Sequence, residues 1–131
     1  MKKRPQDRVP VAIFAMVLVV FAACDSSQPK QAVGSGPTPA ELQGGEAKFN
    51  ANCSVCHGKE GVGTQLGPPL VHKIYEPNHH GDAAFQRAAA NGVKAHHWEF
   101  GNMPKIEAVS PADVDQIVQY VRWLQKQAGI F

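Results

Sequence analysis

Cys53-Ser54-Val55-Cys56-His57 sets two thiols three residues apart, with an imidazole directly after the second. On a helical turn, positions i and i+3 lie on one face. Two thiols so placed can reach the two vinyl groups of one haem and form thioethers, and the following histidine then comes under the iron as an axial ligand. Other chemistries use paired cysteines, and this chain suits them less. A redox dithiol normally accompanies a βαβ pattern, which is absent here. A structural zinc site would need two more good ligands at a compatible spacing. The motif therefore predicts one covalently attached c-type haem, held through Cys53, Cys56 and His57.

From about Gln43 to Phe131 the chain shows helical periodicity and almost no strand alternation. The clearest helix is the last. Ser110 can cap it, Pro111 suits its first position, and Asp113 completes a capping-box pattern. Val114, Ile117, Val118, Val121 and Leu124 then recur at helical spacing and make one apolar face, which Tyr120 and Trp123 widen. Another helix is expected from near Gly44 to Cys53, with Ala47, Phe49 and Ala51 as small or apolar members. A third is expected from Asp82 to Asn91, capped by Asp82, facing inward through Phe85 and Ala88 or Ala89, and ended by Gly92. Gly- and Pro-rich loops separate them. So small a domain has an unfavourable ratio of surface to volume, and a large flat apolar cofactor at its centre would supply the missing core.

Residues 43–131 resemble a class I monohaem c-type cytochrome of bacterial type. Gly45 and Phe49 stand before the haem motif as in that family's N-terminal helix, and Tyr120-Val121-Arg122-Trp123-Leu124 resembles its C-terminal helix. The resemblance implies an all-α fold, three to four helices wrapped around one haem c. It implies that the two terminal helices cross, with Gly45 and Phe49 packed on Tyr120 or Trp123. It also implies that a carbonyl in Gly67-Pro68-Pro69-Leu70, that of Pro68 or Pro69, accepts a hydrogen bond from the His57 ring; Pro68 is preferred.

The sixth iron ligand must come from elsewhere. Met103, in Gly101-Asn102-Met103-Pro104, occupies the family's place for a methionine ligand, late in the chain and before the last helix. The other two methionines, Met1 and Met16, lie at the N-terminus. A Met/His pair raises the reduction potential relative to two histidines, and it fills both axial positions. The alternatives are His72, His79, His80, His96 and His97. These could also be exposed loop residues, or His96 or His97 could bond a haem propionate. Trp98 and Phe100 are expected around the haem rim.

Residues 1–23 read as an export signal of the lipoprotein type. Lys2, Lys3, Arg4 and Arg8 precede an apolar run from Val11 to Ala23, too short for the roughly 20 residues of a membrane-crossing helix. Phe21-Ala22-Ala23-Cys24 resembles a bacterial lipobox, whose cysteine is lipidated; this would explain an odd count of three cysteines. Lipid on Cys24 would hold the protein to a membrane, and Asp25 resembles an inner-membrane retention signal. Residues 24–42, rich in Ser, Gln, Pro and Gly, read as a flexible tether. Removing the signal takes away four bases and Asp7, which turns the formal net charge from +2 to −1. The charge therefore gives no reason to expect nucleic acid as a partner.

The function expected is transfer of single electrons between a donor and an acceptor protein, on the periplasmic side of a bacterial membrane. No constellation of catalytic acid, base or nucleophile is present, so the chain reads as an electron carrier and not an enzyme. Two alternatives stand beside this: a haem sensor or enzyme with an open iron site, and a fixed electron-transfer subunit of a larger oxidoreductase.

Overall fold

The computed structural model describes residues 36–131. The expected export signal, the lipidation of Cys24 and most of the expected tether lie outside the described residues. Within them the protein is all-α, with four helices: α1 (Gln43–Asn52), α2 (Ser54–His57), α3 (Asp82–Asn91) and α4 (Pro111–Gln127). Single 3-10 turns at Ala40–Leu42, Lys59–Gly61 and Lys73–Tyr75 shape the connections. The one antiparallel contact among the described residues is an isolated bridge between Val93 and Met103. Among the described residues, no helix is long and apolar enough to cross a membrane.

The capping box of α4 forms as its sequence dictates. The Ser110 hydroxyl accepts from the Asp113 N–H at 3.2 Å, and the Asp113 carboxylate accepts from the Ser110 N–H at 3.0 Å. The Ser110 hydroxyl also donates to the Asp113 carboxylate at 2.6 Å, and this bond and then the Ser110 N–H hold the Asp113 carboxyl below its ordinary 3.8. Val114, Ile117, Val118, Val121 and Leu124 are all buried along one face.

Helix α1 owes its existence to packing more than to propensity. It opens with Gly44 and Gly45, poor helix formers, and no side chain caps its N-terminus. Its support is the crossing with α4. Phe49 is fully buried, and its ring meets that of Tyr120 at 5.6 Å between centroids. Burying such a side chain stabilises the fold by about 1.5–3 kcal/mol. Gly45 makes the close approach possible: a Cβ there would stand 2.2 Å from the Gln116 carbonyl oxygen. Tyr120 in turn stacks on Trp123 at 6.1 Å.

Helix α1 ends at Asn52, in agreement with the expected end at Cys53; the φ and ψ of Cys53, −121° and −34°, lie outside the helical range, so α1 and α2 are separate. One departure from the sequence reading has a physical cause. Asp82 does not cap α3. The capping position is Gly81, and the Asp82 carboxylate instead accepts from Arg122 Nε at 2.8 Å.

Arg122 is a buried tie that sequence patterning did not single out. Its guanidinium donates to the carbonyls of Tyr75 and His80 at 2.6 and 2.5 Å and to Gln125 Oε1 at 2.7 Å. Gln125, fully buried, donates to the carbonyls of Leu70 and Tyr75. Through these two residues α4 fastens the loop that runs from Leu70 to His80. The guanidinium also lies over the Phe85 ring, 5.0 Å from its centroid.

Candidate functional site

Helix α2 is one short turn, yet it sets the motif. The Cys56 and His57 N–H groups both donate to the Cys53 carbonyl, at 3.2 and 2.9 Å. That turn brings both thiols and the imidazole to one wall of a cavity of about 520 Å³. The two cysteines are not joined to each other in a disulfide. Burial, and then the neighbouring Cys56, push the Cys53 thiol up to about 11. A redox dithiol depends on a lowered thiol pKa, so the environment of this pair argues against disulfide exchange.

The loop after α2 folds back beneath His57. The Gly63 N–H donates to the His57 carbonyl at 2.6 Å, and the Thr64 hydroxyl donates to the Cys56 carbonyl at 2.6 Å. This return brings the Pro68 carbonyl within 2.8 Å of His57 Nδ1. A carbonyl can only accept, so Nδ1 carries the proton and Nε2 keeps its lone pair for a metal. Burial lowers the His57 pKa and the Pro68 carbonyl partly opposes it, so the net effect favours the neutral imidazole that metal binding needs.

Met103 reaches the same cavity from a separate loop. Val93 and Met103 exchange two backbone hydrogen bonds of 2.9 Å each, which closes the segment between them into a hairpin-like flap. Asn102 Oδ1 accepts from the Ala95 N–H inside that flap. Gly92 ends α3 at a φ of +75°, and a Cβ there would press within 2.5 Å of the Met103 carbonyl oxygen. The glycine that ends the helix therefore also admits the Met103 backbone beside it.

Helix α3 supplies a further wall. It has no fully buried residue, because Ala84, Phe85, Ala88 and Ala89 face the cavity. Trp98 and Phe100 complete the lining, and Trp98 Nε1 is buried with no hydrogen-bond partner. A cavity walled by apolar side chains, with two thiols, a neutral imidazole, a thioether and one unpaired donor, suits a large flat apolar group. It suits in particular one that bears thiol-reactive vinyls, a metal and peripheral carboxylates. These are the features of haem.

The structure thus brings Cys53, Cys56, His57, Pro68 and Met103 to one cavity. It also gathers residues that the sequence left as separate loop positions. His79, His80, His96 and His97 form one cluster, with His80, His96 and His97 on the cavity wall. His72 stands apart, edge-on to Trp98, with Nδ1 accepting from the Ile74 N–H. The visible signal was the pair of His-His dipeptides; that two loops would bring them together was not visible in either one.

Residues 40–121 match the family model described as cytochrome c oxidase, cbb3-type, subunit III. Comparison with curated proteins and with solved structures gave no match. The family match covers more than half of the chain, including the haem motif and most of α4, and so the chain belongs to this family of c-type cytochrome domains and carries covalently bound haem c.

Proposed function

We propose that this protein is a monohaem electron carrier in which His57 and Met103 ligate the iron, Cys53 and Cys56 hold the macrocycle, and Pro68 orients the His57 ring. The observation that carries the reading is the meeting of these side chains, from two loops and a helical turn, in one cavity. The bound haem supplies reversible one-electron chemistry. The protein's part is to fix the ligands. His57 is held by a carbonyl and Met103 by a two-bond bridge, so neither ligand needs to move when the charge of the site changes. With His57 and Met103 both on the iron, no ligand position would remain for a substrate or a gas.

Transfer to a partner requires a haem edge near the surface. Cys56 is exposed, and Val55 and Leu66 beside it are 70% and 64% exposed. Thr64 ties the Leu66 turn to the Cys56 carbonyl, so this apolar patch adjoins the attachment point. It supports docking of donor and acceptor proteins at that edge.

The test is the absorption spectrum of the haem-loaded protein, oxidised and reduced, with and without carbon monoxide. The proposal expects a low-spin spectrum with a methionine–iron charge-transfer band and no response to carbon monoxide. Met103→Ala should lose the band and bind carbon monoxide. A high-spin wild type that binds carbon monoxide readily would favour the sensor or enzyme instead.

A second reading is a fixed electron-transfer subunit, which the family's description as an oxidase subunit favours. Stable copurification with an oxidoreductase would distinguish it from a mobile shuttle. In either case we propose a location on the periplasmic face of the inner membrane, anchored by lipid on Cys24. Mass spectrometry of the mature N-terminus tests this, and an unmodified Cys24 would remove the anchor.

A further inference from the structure

Four imidazoles from two loops meet at the rim of the haem cavity. His79 and His80 come from the segment between the Lys73–Tyr75 turn and α3; His96 and His97 come from the flap closed by Val93 and Met103. Ring centroids lie 4.6 Å apart for His79 and His80, 5.1 Å for His79 and His97, 5.1 Å for His80 and His97, and 4.3 Å for His96 and His97. In His79, His80 and His97, one ring nitrogen from each lies within 4.8 Å of the other two. We propose that these three histidines bind a divalent first-row transition cation of the zinc or copper type, at a site separate from the haem iron.

The geometry is close to what such an ion needs. Nitrogens bound tetrahedrally at the usual zinc distance stand about 3.3 Å apart, so small ring rotations close the site. Two of the three rings, those of His79 and His97, are exposed and free to make them. Three imidazoles leave the fourth position to water or to His96, whose ring touches that of His97. Borderline-soft nitrogen donors select zinc and copper over magnesium or calcium, which prefer oxygen.

The surroundings also resemble those of a metal ligand. His80 Nδ1 lies 2.7 Å from the Ile74 carbonyl oxygen. That carbonyl must accept, so Nδ1–H donates and Nε2 presents its lone pair. A ligating histidine is characteristically held this way. The His80 backbone is fixed independently, since its N–H donates to the Glu76 carbonyl and its own carbonyl accepts from Arg122. The second loop is fixed by the Val93–Met103 bridge and by Asn102. Stacking of the rings on one another does not by itself account for this arrangement. Exposed imidazoles gain little from mutual contact in water, whereas three lone-pair nitrogens within reach of one cation gain a strong interaction.

The competing occupant is a haem propionate, because His80, His96 and His97 also line the cavity. The experiment therefore uses the haem-loaded protein, in which the propionates are present. Equilibrium dialysis against low-micromolar Zn²⁺, which is redox-inert, should leave one zinc per chain. X-ray absorption at the zinc edge should show imidazole nitrogens as the protein ligands. His79→Asn and His97→Asn, both at exposed positions, should each weaken binding by about tenfold or more; His72→Asn, outside the cluster, should leave it unchanged. The absorption spectrum of each variant reports separately whether the haem site is intact. Absence of zinc from the wild-type protein, thiolate or carboxylate coordination, or affinity indifferent to both His79 and His97 would overturn the proposal.

Discussion

Adjacent glycines in α1 should respond oppositely to the same substitution. At Gly45 an added Cβ would stand 2.2 Å from the Gln116 carbonyl oxygen, 2.9 Å from the carbonyl carbon and 3.2 Å from Tyr120 Cβ. The first two are backbone atoms inside α4 and cannot turn aside. Ordinary contact begins near 3.4 Å, so the crossing must open by about 1.2 Å over its whole interdigitated face. Overpacking of this kind costs about 3 kcal/mol at the upper end of its range. The better helix propensity of alanine returns about 1 kcal/mol. Gly45→Ala should therefore destabilise the protein by about 2 kcal/mol. At Gly44 the nearest obstacle is Gln116 Oε1 at 3.1 Å, the end of a flexible side chain. Gly44→Ala should then keep most of the propensity gain, about 1 kcal/mol. The two variants should differ by about 3 kcal/mol, or by roughly 12–24 °C in Tm for a domain of this size. Thermal and guanidinium unfolding of the haem-loaded variants, followed by far-UV circular dichroism, measures the difference. If both variants fall within about 0.5 kcal/mol of each other, the claim that α1 and α4 meet backbone to backbone at Gly45 is wrong.

Two further outcomes follow from the tie around α4 and from its cap. Arg122→Leu should cost about 2–4 kcal/mol in denaturant unfolding, because it strips the part-buried His80 carbonyl and the buried Gln125 Oε1 of their donor and leaves the Tyr75 carbonyl with Gln125 alone. Asp82→Asn should cost less than about 1 kcal/mol, since that carboxylate is 70% exposed and its ion pair is screened by water. The Asp113 carboxyl, lowered by its bonds to Ser110 and then by Lys48, contributes stability above its unfolded value of 3.8 and loses it as pH falls through the lower folded value. Melting temperature measured as the pH falls from neutral to strongly acid should therefore decline less in Ser110→Ala than in the wild type, once the lost cap is allowed for at neutral pH.

Much of this architecture was legible because it is local. The Ser110–Asp113 box, the apolar stripe of α4 and the bounds of α3 each depend on residues a few positions apart. The haem motif is equally local, and the packing of Gly45 and Phe49 on Tyr120 followed from resemblance. What escaped the sequence is non-local. Asp82 has the composition of a cap, but a partner forty residues away, Arg122, competes for its carboxylate more strongly than the helix N-terminus does. The pairing of Val93 with Met103 spans a loop without strand alternation, and it is this bridge that carries His96 and His97 to His79 and His80.

A closed electron carrier requires that His57 and Met103 both bind the iron. Proton NMR of the reduced, haem-loaded protein can show whether Met103 does. A methionine methyl held on the iron lies over the haem face, and the ring current moves its resonance far upfield of the ordinary methyl range. One such methyl is expected, assigned to Met103 and lost in Met103→Ala. A Met103 methyl resonance in the ordinary range would mean that the thioether is not on the iron.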